Sequence, residues 1–477
     1  MTQPNNQQNY RFAFSVLTVL FFMWGFITVM NDVLINTFAG IFDLTVFQSS
    51  LVQAAFFGAF FFVSLIYFVI SLSSGDLINR IGYKNGMVTG LAVCGVGCTL
   101  FYPAAELHSY GFFLGSLFVL ATGVTILQIA ANPYAAILGP PATASARLNH
   151  AQGFNSLGTT IGPIVGAILI FSVFSVGEKS PESVGKTYLL YAFVFYALAV
   201  IVKVLNLPSF ASSEQVERGL GALKFRHLRF GIIAIFMYVG AEVATGSFLV
   251  KLFEQPDIAN MPRETGNKFL AYYWGGLMIG RLMGAVSLGD SMKDRSKWLT
   301  MALISVGAFF FIYFATSIKT DAGRFYLEFL PFRDVAFFMI LMVANYVGFI
   351  VGRSAPARSL AVFSVVNIVL LTLAAMMSGS IVFWASIGTG LFNSIMWSNI
   401  FTLSIARLGR YTSQASSLLI MAIVGGAVIP PLQGLVADKI GIQLSYFVPA
   451  ACYVYLVMYG VRGYRIVNEP GAPGAAE

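Results

Sequence analysis

The chain has 477 residues, 57% of them hydrophobic and 10% charged, with a net charge of +8 and a mean hydropathy of +0.79. Soluble domains carry about 25% charged residues, so this composition excludes a soluble globular protein. Repeated apolar runs of about 18 residues or more imply instead a polytopic, all-α membrane protein. Nucleic acid is not an expected partner, because most basic residues lie in short connections between apolar runs.

Hydropathy predicts helices near 11–40, 47–71, 84–103, 109–138, 144–175 and 185–206, and then, after a basic polar linker, near 230–253, 266–289, 297–317, 333–352, 359–378, 382–406, 414–437 and 441–461. Six lie before the linker and eight after it, fourteen in total. The expected division is an N-terminal six-helix bundle over 1–207, a linker over 208–229, a C-terminal bundle over 230–465 and a tail over 466–477.

The first run contains Trp24–Asn36, in which Asp32 is the lone acid between Phe12 and Phe42. An ionisable side chain at bilayer depth costs on the order of 2.5–3.5 kcal/mol on insertion scales. That cost is tolerable if the carboxyl faces water, holds a proton or has a partner. Thr28, Asn31 and Asp32 share one helix face by their i, i+3, i+4 spacing. The cluster is either a buried structural one or a proton- or substrate-binding site.

Cys94, Cys98 and Cys452 fall inside apolar helices, which suits packing rather than a disulfide or a metal. His108, His150 and His227 lie near helix ends without ligand spacing. The polar, uncharged start, Met1–Tyr10, is not followed by a signal-cleavage pattern.

With the N-terminus inside, alternate connections hold 18 Lys and Arg against 9 on the other side, and Arg281 within a helix completes the 28. This bias predicts that both termini are cytoplasmic. A weak internal repeat is also present. Gly123, Asn132 and Pro163 recur 267 positions later as Gly390, Asn399 and Pro430, and Leu138-Gly139 recurs as Leu408-Gly409. The recurrence reads as a shared ancestral unit, or as chance matches among glycine-rich helices.

Two long stretches are more specific. One is GVTILQIAANPYAAILG over 123–139, with RLN at 147–149 and QGFNSLG at 152–158; the other is FNSIMWSNIFTL over 392–403. Together with FMWGFITVMNDVLI near the start, they resemble the fucose–galactose–glucose symporter family of the major facilitator superfamily, most closely its glucose/galactose branch. The resemblance covers most of the chain except about 296–355. It implies two six-helix bundles in parallel repeat, with an extra helix pair inserted at 297–317 and 333–352. The loop GDLINRIGYK, 75–84, is a degenerate form of the superfamily's loop between helices 2 and 3, with Asn79 where an acid is usual. A weakened charge relay at that gate is the expected consequence.

The resemblance also implies that core helices 1, 4, 7 and 10 line the cavity, and all four carry polar groups in their middles. Helix 4 has Gln128 and Asn132, helix 7 has Tyr238, Glu242 and Thr245, helix 10 has Asn393 and Trp397, and helix 5 adds Gln152 and Asn155. Amides also glue helices together in lipid, so any one of these is either structural or a ligand; four helices agreeing argues for a site. Amides and carboxylates match the donors and acceptors of sugar hydroxyls, and Trp397 either stacks on a pyranose face or packs. The resembling fucose permeases carry an acid at the Gln128 position, so their two-acid scheme does not transfer whole.

The expected substrate-binding set is Asn31, Asp32, Gln128, Asn132, Gln152, Asn155, Tyr238, Glu242, Asn393 and Trp397, with Asp32 the favoured coupling acid and Glu242 a ligand or second proton site. The expected activity is import of a glucose- or galactose-type hexose by symport with H+ or, alternatively, Na+, with fucose or N-acetylglucosamine as other cargoes. No bound cofactor is expected. The expected setting is the bilayer of a bacterial inner membrane, as a monomer. An effluxer fits the amide-rich cavity poorly. A non-transporting sugar sensor remains a further class, and an enzyme is disfavoured for want of a nucleophile, metal or phosphate-binding motif.

Overall fold

In the computed structural model, which describes residues 5–174, 180–208, 221–289, 294–321 and 324–466, all fourteen predicted segments are helical. In chain order they are α1 (Asn5–Ile41), α2 (Val46–Ser74), α3 (Tyr83–Glu106), α4 (Tyr110–Ile137), α5 (Ala144–Ile168), α6 (Pro181–Val204), α7 (Arg226–Phe253), α8 (Arg263–Ser287), α9 (Asp294–Ala315), α10 (Phe337–Gly352), α11 (Pro356–Met376), α12 (Ser380–Ser404), α13 (Gly409–Ile440) and α14 (Leu444–Gly463). Twelve of these spans are long and apolar enough to cross a membrane by composition alone; α5 and α8 are not among them. The two more polar helices pack on each other across the halves. Their polar side chains therefore face protein rather than lipid, the arrangement that makes such residues affordable at depth.

Three features depart from the expected pattern. The connection between α9 and α10 is a β-hairpin, β1 (Ile318–Asp321) paired antiparallel with β2 (Arg324–Leu327), so the chain is not helical throughout. Two expected helices are interrupted. α12 is two pieces, Ser380–Asn393 and Met396–Ser404, and α13 contains a 3₁₀ turn over Ala422–Val424. The expected linker already turns helical near its end, at Gly221–Lys224 and from Arg226; residues 209–220 of it lie outside the described set.

The packing is that of two parallel six-helix units. In the first half α1 packs on α5, α3 on α4 and α6, and α2 on α4. In the second, α7 packs on α13, α11 on α12 and α14, and α8 on α12. The two sets coincide once α9 and α10 are left out, which places the inserted pair between the eighth and ninth core helices. α9 lies against α8, and α10 lies against α11 and α12. One pair of glycines shows the repeat in atomic terms. Gly158 on α5 sits against the Phe22 carbonyl of α1, and Gly425 on α13 sits against the Phe236 carbonyl of α7. A Cβ at either position would collide with backbone, so only glycine lets these helices approach.

An even number of spans puts the start of α1 and the end of α14 on one face, here called the terminal face. The two halves are tied together on that side. Across the seam, Ser145 Oγ lies 2.5 Å from Thr402 Oγ1, Asn149 Nδ2 donates to Asn399 Oδ1 (3.3 Å), and Gln414 Nε2 donates to Ser71 Oγ (3.2 Å). Asn79 Nδ2 donates to the Arg410 carbonyl (2.6 Å) and Ser413 Oγ donates to Asn79 Oδ1 (3.4 Å). Among the described residues no hydrogen bond joins the halves at the opposite face. The structure is closed at the terminal face.

Candidate functional site at the bilayer midplane

The second half builds its polar centre from five helices. Tyr238, one turn before Glu242 on α7, donates to Glu242 Oε1 (2.7 Å) and approaches the Asn393 carbonyl (3.2 Å). Tyr273 of α8 donates to the Glu242 carbonyl (2.7 Å). Asn393, the last residue before the break in α12, receives the Tyr453 hydroxyl of α14 (2.5 Å) and the Asn367 amide of α11 (2.8 Å) on Oδ1, and its Nδ2 donates to Tyr273 (3.1 Å). All are buried. The expected trio Tyr238, Glu242 and Asn393 is thus brought together, with Tyr273, Asn367 and Tyr453 joining it.

The break in α12 frees carbonyls that an unbroken helix would satisfy, and at membrane depth each needs another donor. The Leu391 carbonyl takes Asn345 Nδ2 (3.0 Å) and Ser394 Oγ (2.7 Å), that of Asn393 faces Tyr238, and that of Ser394 takes Arg281 Nε (3.3 Å). Asn345 belongs to the inserted helix α10, so the inserted pair reaches the support of the central site.

The first half differs. Asn155 Nδ2 donates to the Phe21 carbonyl (3.1 Å), which fastens α5 to α1 and gives this amide a structural task. Asn132 Nδ2 back-bonds to the Gln128 carbonyl (3.1 Å), while its Oδ1 is buried without a partner, as is Asn31 Oδ1. Gln128 and Gln152 are buried, and their amides make no hydrogen bond among the described residues. In the second half, Trp397 of α12 stacks near Phe401 (centroids 6.1 Å apart), and its Nε1 is likewise buried without a partner. Asp32 lies on α1; its side chain is outside the described set.

Two buried charged groups, Arg281 and Asp76, lie outside the expected site set. Arg281, on α8, is 9% exposed, and its Nη1 donates to Ser156 Oγ of α5 (2.6 Å). The signal that could have found it is the one that flagged Asp32: a single charge inside an otherwise apolar run. The other is Asp76, which caps the short helix Leu77–Ile81. Asp76 Oδ1 accepts from Tyr67 Oη (2.7 Å) and from the Asn79 backbone (3.1 Å). Burial pushes this carboxyl above the usual carboxylate range, against the lowering pull of those bonds. At the expected weak relay, Asn79 bridges the halves as a neutral amide, and the buried acid stands three residues earlier.

Two six-helix halves with convergent polar groups at their midplane and a closed gate on one face define a membrane carrier of the alternating-access kind. The chain belongs to the Major Facilitator Superfamily, whose profile matches residues 12–378. It is 40% identical to the glucose/galactose transporter of Brucella abortus over 469 residues, with 97% of each chain covered. It is 29% identical to the L-fucose-proton symporter of Escherichia coli, covering 95% of this chain and 93% of that one. The solved structure of a Major Facilitator Superfamily transporter, FucP, in the outward conformation superposes with a TM-score of 0.73 at 26% identity, covering 95% of this chain and 98% of that one.

Proposed function

We propose that this chain imports a hexose of the glucose or galactose type by symport with H+, with the terminal face cytoplasmic and the present structure outward-facing. The observation that carries this reading is the amide-rich midplane, where Gln128, Gln152, Asn132 and Asn31 hold unspent hydrogen-bonding capacity opposite the bonded Glu242 cluster. Such groups are costly when buried without partners, and sugar hydroxyls supply donors and acceptors to match. The full-length similarity to a glucose/galactose transporter supports the cargo, and the similarity to a proton symporter supports the ion. The Lys and Arg bias of the loops supports the orientation. Substrate and proton would be exchanged by rocking the halves about the midplane, as a monomer.

Uptake into proteoliposomes tests the reading. A labelled sugar panel with imposed pH or Na+ gradients should show accumulation of glucose or galactose driven by inward H+ movement. Asp32→Asn should lose gradient-driven accumulation and retain sugar exchange. Failure of every hexose to exchange sinks the substrate assignment, and wild-type accumulation by Asp32→Asn removes that residue from coupling.

A further inference from the structure

Arg281 has a position that sugar binding does not explain. Its guanidinium spans two helices, holding Ser156 Oγ of α5 through Nη1 (2.6 Å) and the Ser394 carbonyl at the break of α12 through Nε (3.3 Å). A planar fork with several donors can do this, whereas a lysine's single nitrogen cannot. Of the hydrogen bonds across the seam, Arg281–Ser156 is the innermost. Asn149–Asn399 and Ser145–Thr402 follow toward the terminal face, since residues 145 and 149 come earlier on α5 and residues 399 and 402 come later on α12. Arg281 therefore closes the gate at the level of the central site.

Glu242 lies beside the same helix break: Tyr238 donates to Glu242 Oε1 (2.7 Å) and approaches the Asn393 carbonyl (3.2 Å), and Arg281 holds the carbonyl of the next residue, Ser394 (3.3 Å), so cation and carboxyl face one another across the break. Among the described residues, the titratable or charged groups facing Glu242 are Tyr238 of its own helix, Tyr273 and Arg281 of α8, and Tyr453 of α14. Arg281 is the one cation of this set. With Glu242 ionised, the buried cation has a counter-charge. With Glu242 protonated, it becomes an uncompensated buried charge, a costly state. Parting α5 from α8 would admit water to the guanidinium and relieve that cost.

We propose that Arg281 is a positioning residue of the transport cycle, a bolt between α5 and α12 whose hold is set by the proton on Glu242. The ionised carboxylate keeps the terminal face closed, and protonation from the opposite face loosens it. The direction suits import, because the proton arriving with the sugar weakens the gate through which both leave. This inference rests on the alternating-access reading above.

Hydrogen exchange of the full-length protein in lipid nanodiscs tests it, read at 145–152 of α5 and 397–404 of α12. In the wild type, exchange at both segments should rise on acidification. Ser156→Ala removes the cross-seam acceptor and touches no group of the sugar site. It should raise exchange there on the order of tenfold at neutral pH, with the unfolding midpoint and sugar affinity close to wild type. Glu242→Gln should fix exchange at the acid level and abolish its pH response. Arg281→Lys should keep part of the pH response at a higher baseline. Wild-type exchange in Ser156→Ala, or a persisting pH response in Glu242→Gln, overturns the bolt. The measurement needs no sugar, so a failed substrate assignment in the uptake assay leaves this result readable on its own.

Discussion

The two halves of this carrier share a packing scheme and bond their central polar residues differently, although Asn367 Oδ1 and Trp397 Nε1 of the second half are also buried without partners. In the second half Glu242, Tyr238, Tyr273, Asn367, Asn393 and Tyr453 bond to one another across five helices. In the first half Asn31, Gln128, Asn132 and Gln152 keep donors or acceptors unspent in buried positions. A densely bonded network rigidifies a site, whereas a buried group without a partner, such as Asn31 Oδ1 or Asn132 Oδ1, stores a desolvation cost that a ligand can relieve. On the proposed reading, the second half shapes the site and controls charge, and the first half grips the cargo. Similarity by fold repeat therefore does not carry similarity of task.

The sharpest way to break this contrast is Asn393→Ala. Three partners on three helices, Asn367, Tyr273 and Tyr453, would lose a buried hydrogen bond together. Folding stability should fall by about 3–5 kcal/mol, since each orphaned group costs about 1–3 kcal/mol; denaturant unfolding in detergent reads it. A wild-type unfolding midpoint would show that the knot is not what holds these helices.

Gln128→Ala probes the other half and should do the reverse. Its amide has no protein partner to abandon, so the unfolding midpoint should stay near wild type. Sugar affinity by calorimetry should weaken by about 1–2 kcal/mol, the scale of one hydrogen bond. Unchanged affinity with lost stability would turn the comparison around.

The smallest effect is expected at the gate, with Asp76→Asn. The raised carboxyl of Asp76 means that the folded protein holds this proton more tightly than the unfolded chain does. Its contribution to stability is fully present below the ordinary value of 3.8 and is lost as pH rises through the raised value. The amide keeps an acceptor for Tyr67 and the Asn79 backbone while removing the charge. At neutral pH the variant should lie within about 1 kcal/mol of wild type, equal or more stable, and it should lack that part of the pH slope in a series of thermal melts. A slope identical to wild type would show that Asp76 does not titrate in that window.

Much of the architecture was legible from residues alone. Apolar runs of spanning length announce helices, because a backbone in lipid must satisfy its own hydrogen bonds; all fourteen appeared, including the extra pair. The polar residues of the candidate site stand out by the same logic, since Glu242, Gln128 and Asn393 lie in runs that should exclude them. What each does was decided by contacts between distant segments. Asn393 and Trp397 each read as either a ligand or a structural group, and packing separates them: Asn393 bonds into a knot in which Tyr273 lies 120 residues away, while Trp397 Nε1 has no partner. Arg281 gains its meaning from Ser156, 125 residues distant, and from a helix break that hydropathy does not reveal. Nothing in the pattern of the inserted pair distinguishes Asn345, whose partner, the Leu391 carbonyl, is set by packing. Hydropathy and period act along the chain and fix which segments enter the membrane. The partners of a buried polar group are set by which helices meet, and that information exists only once the halves have packed.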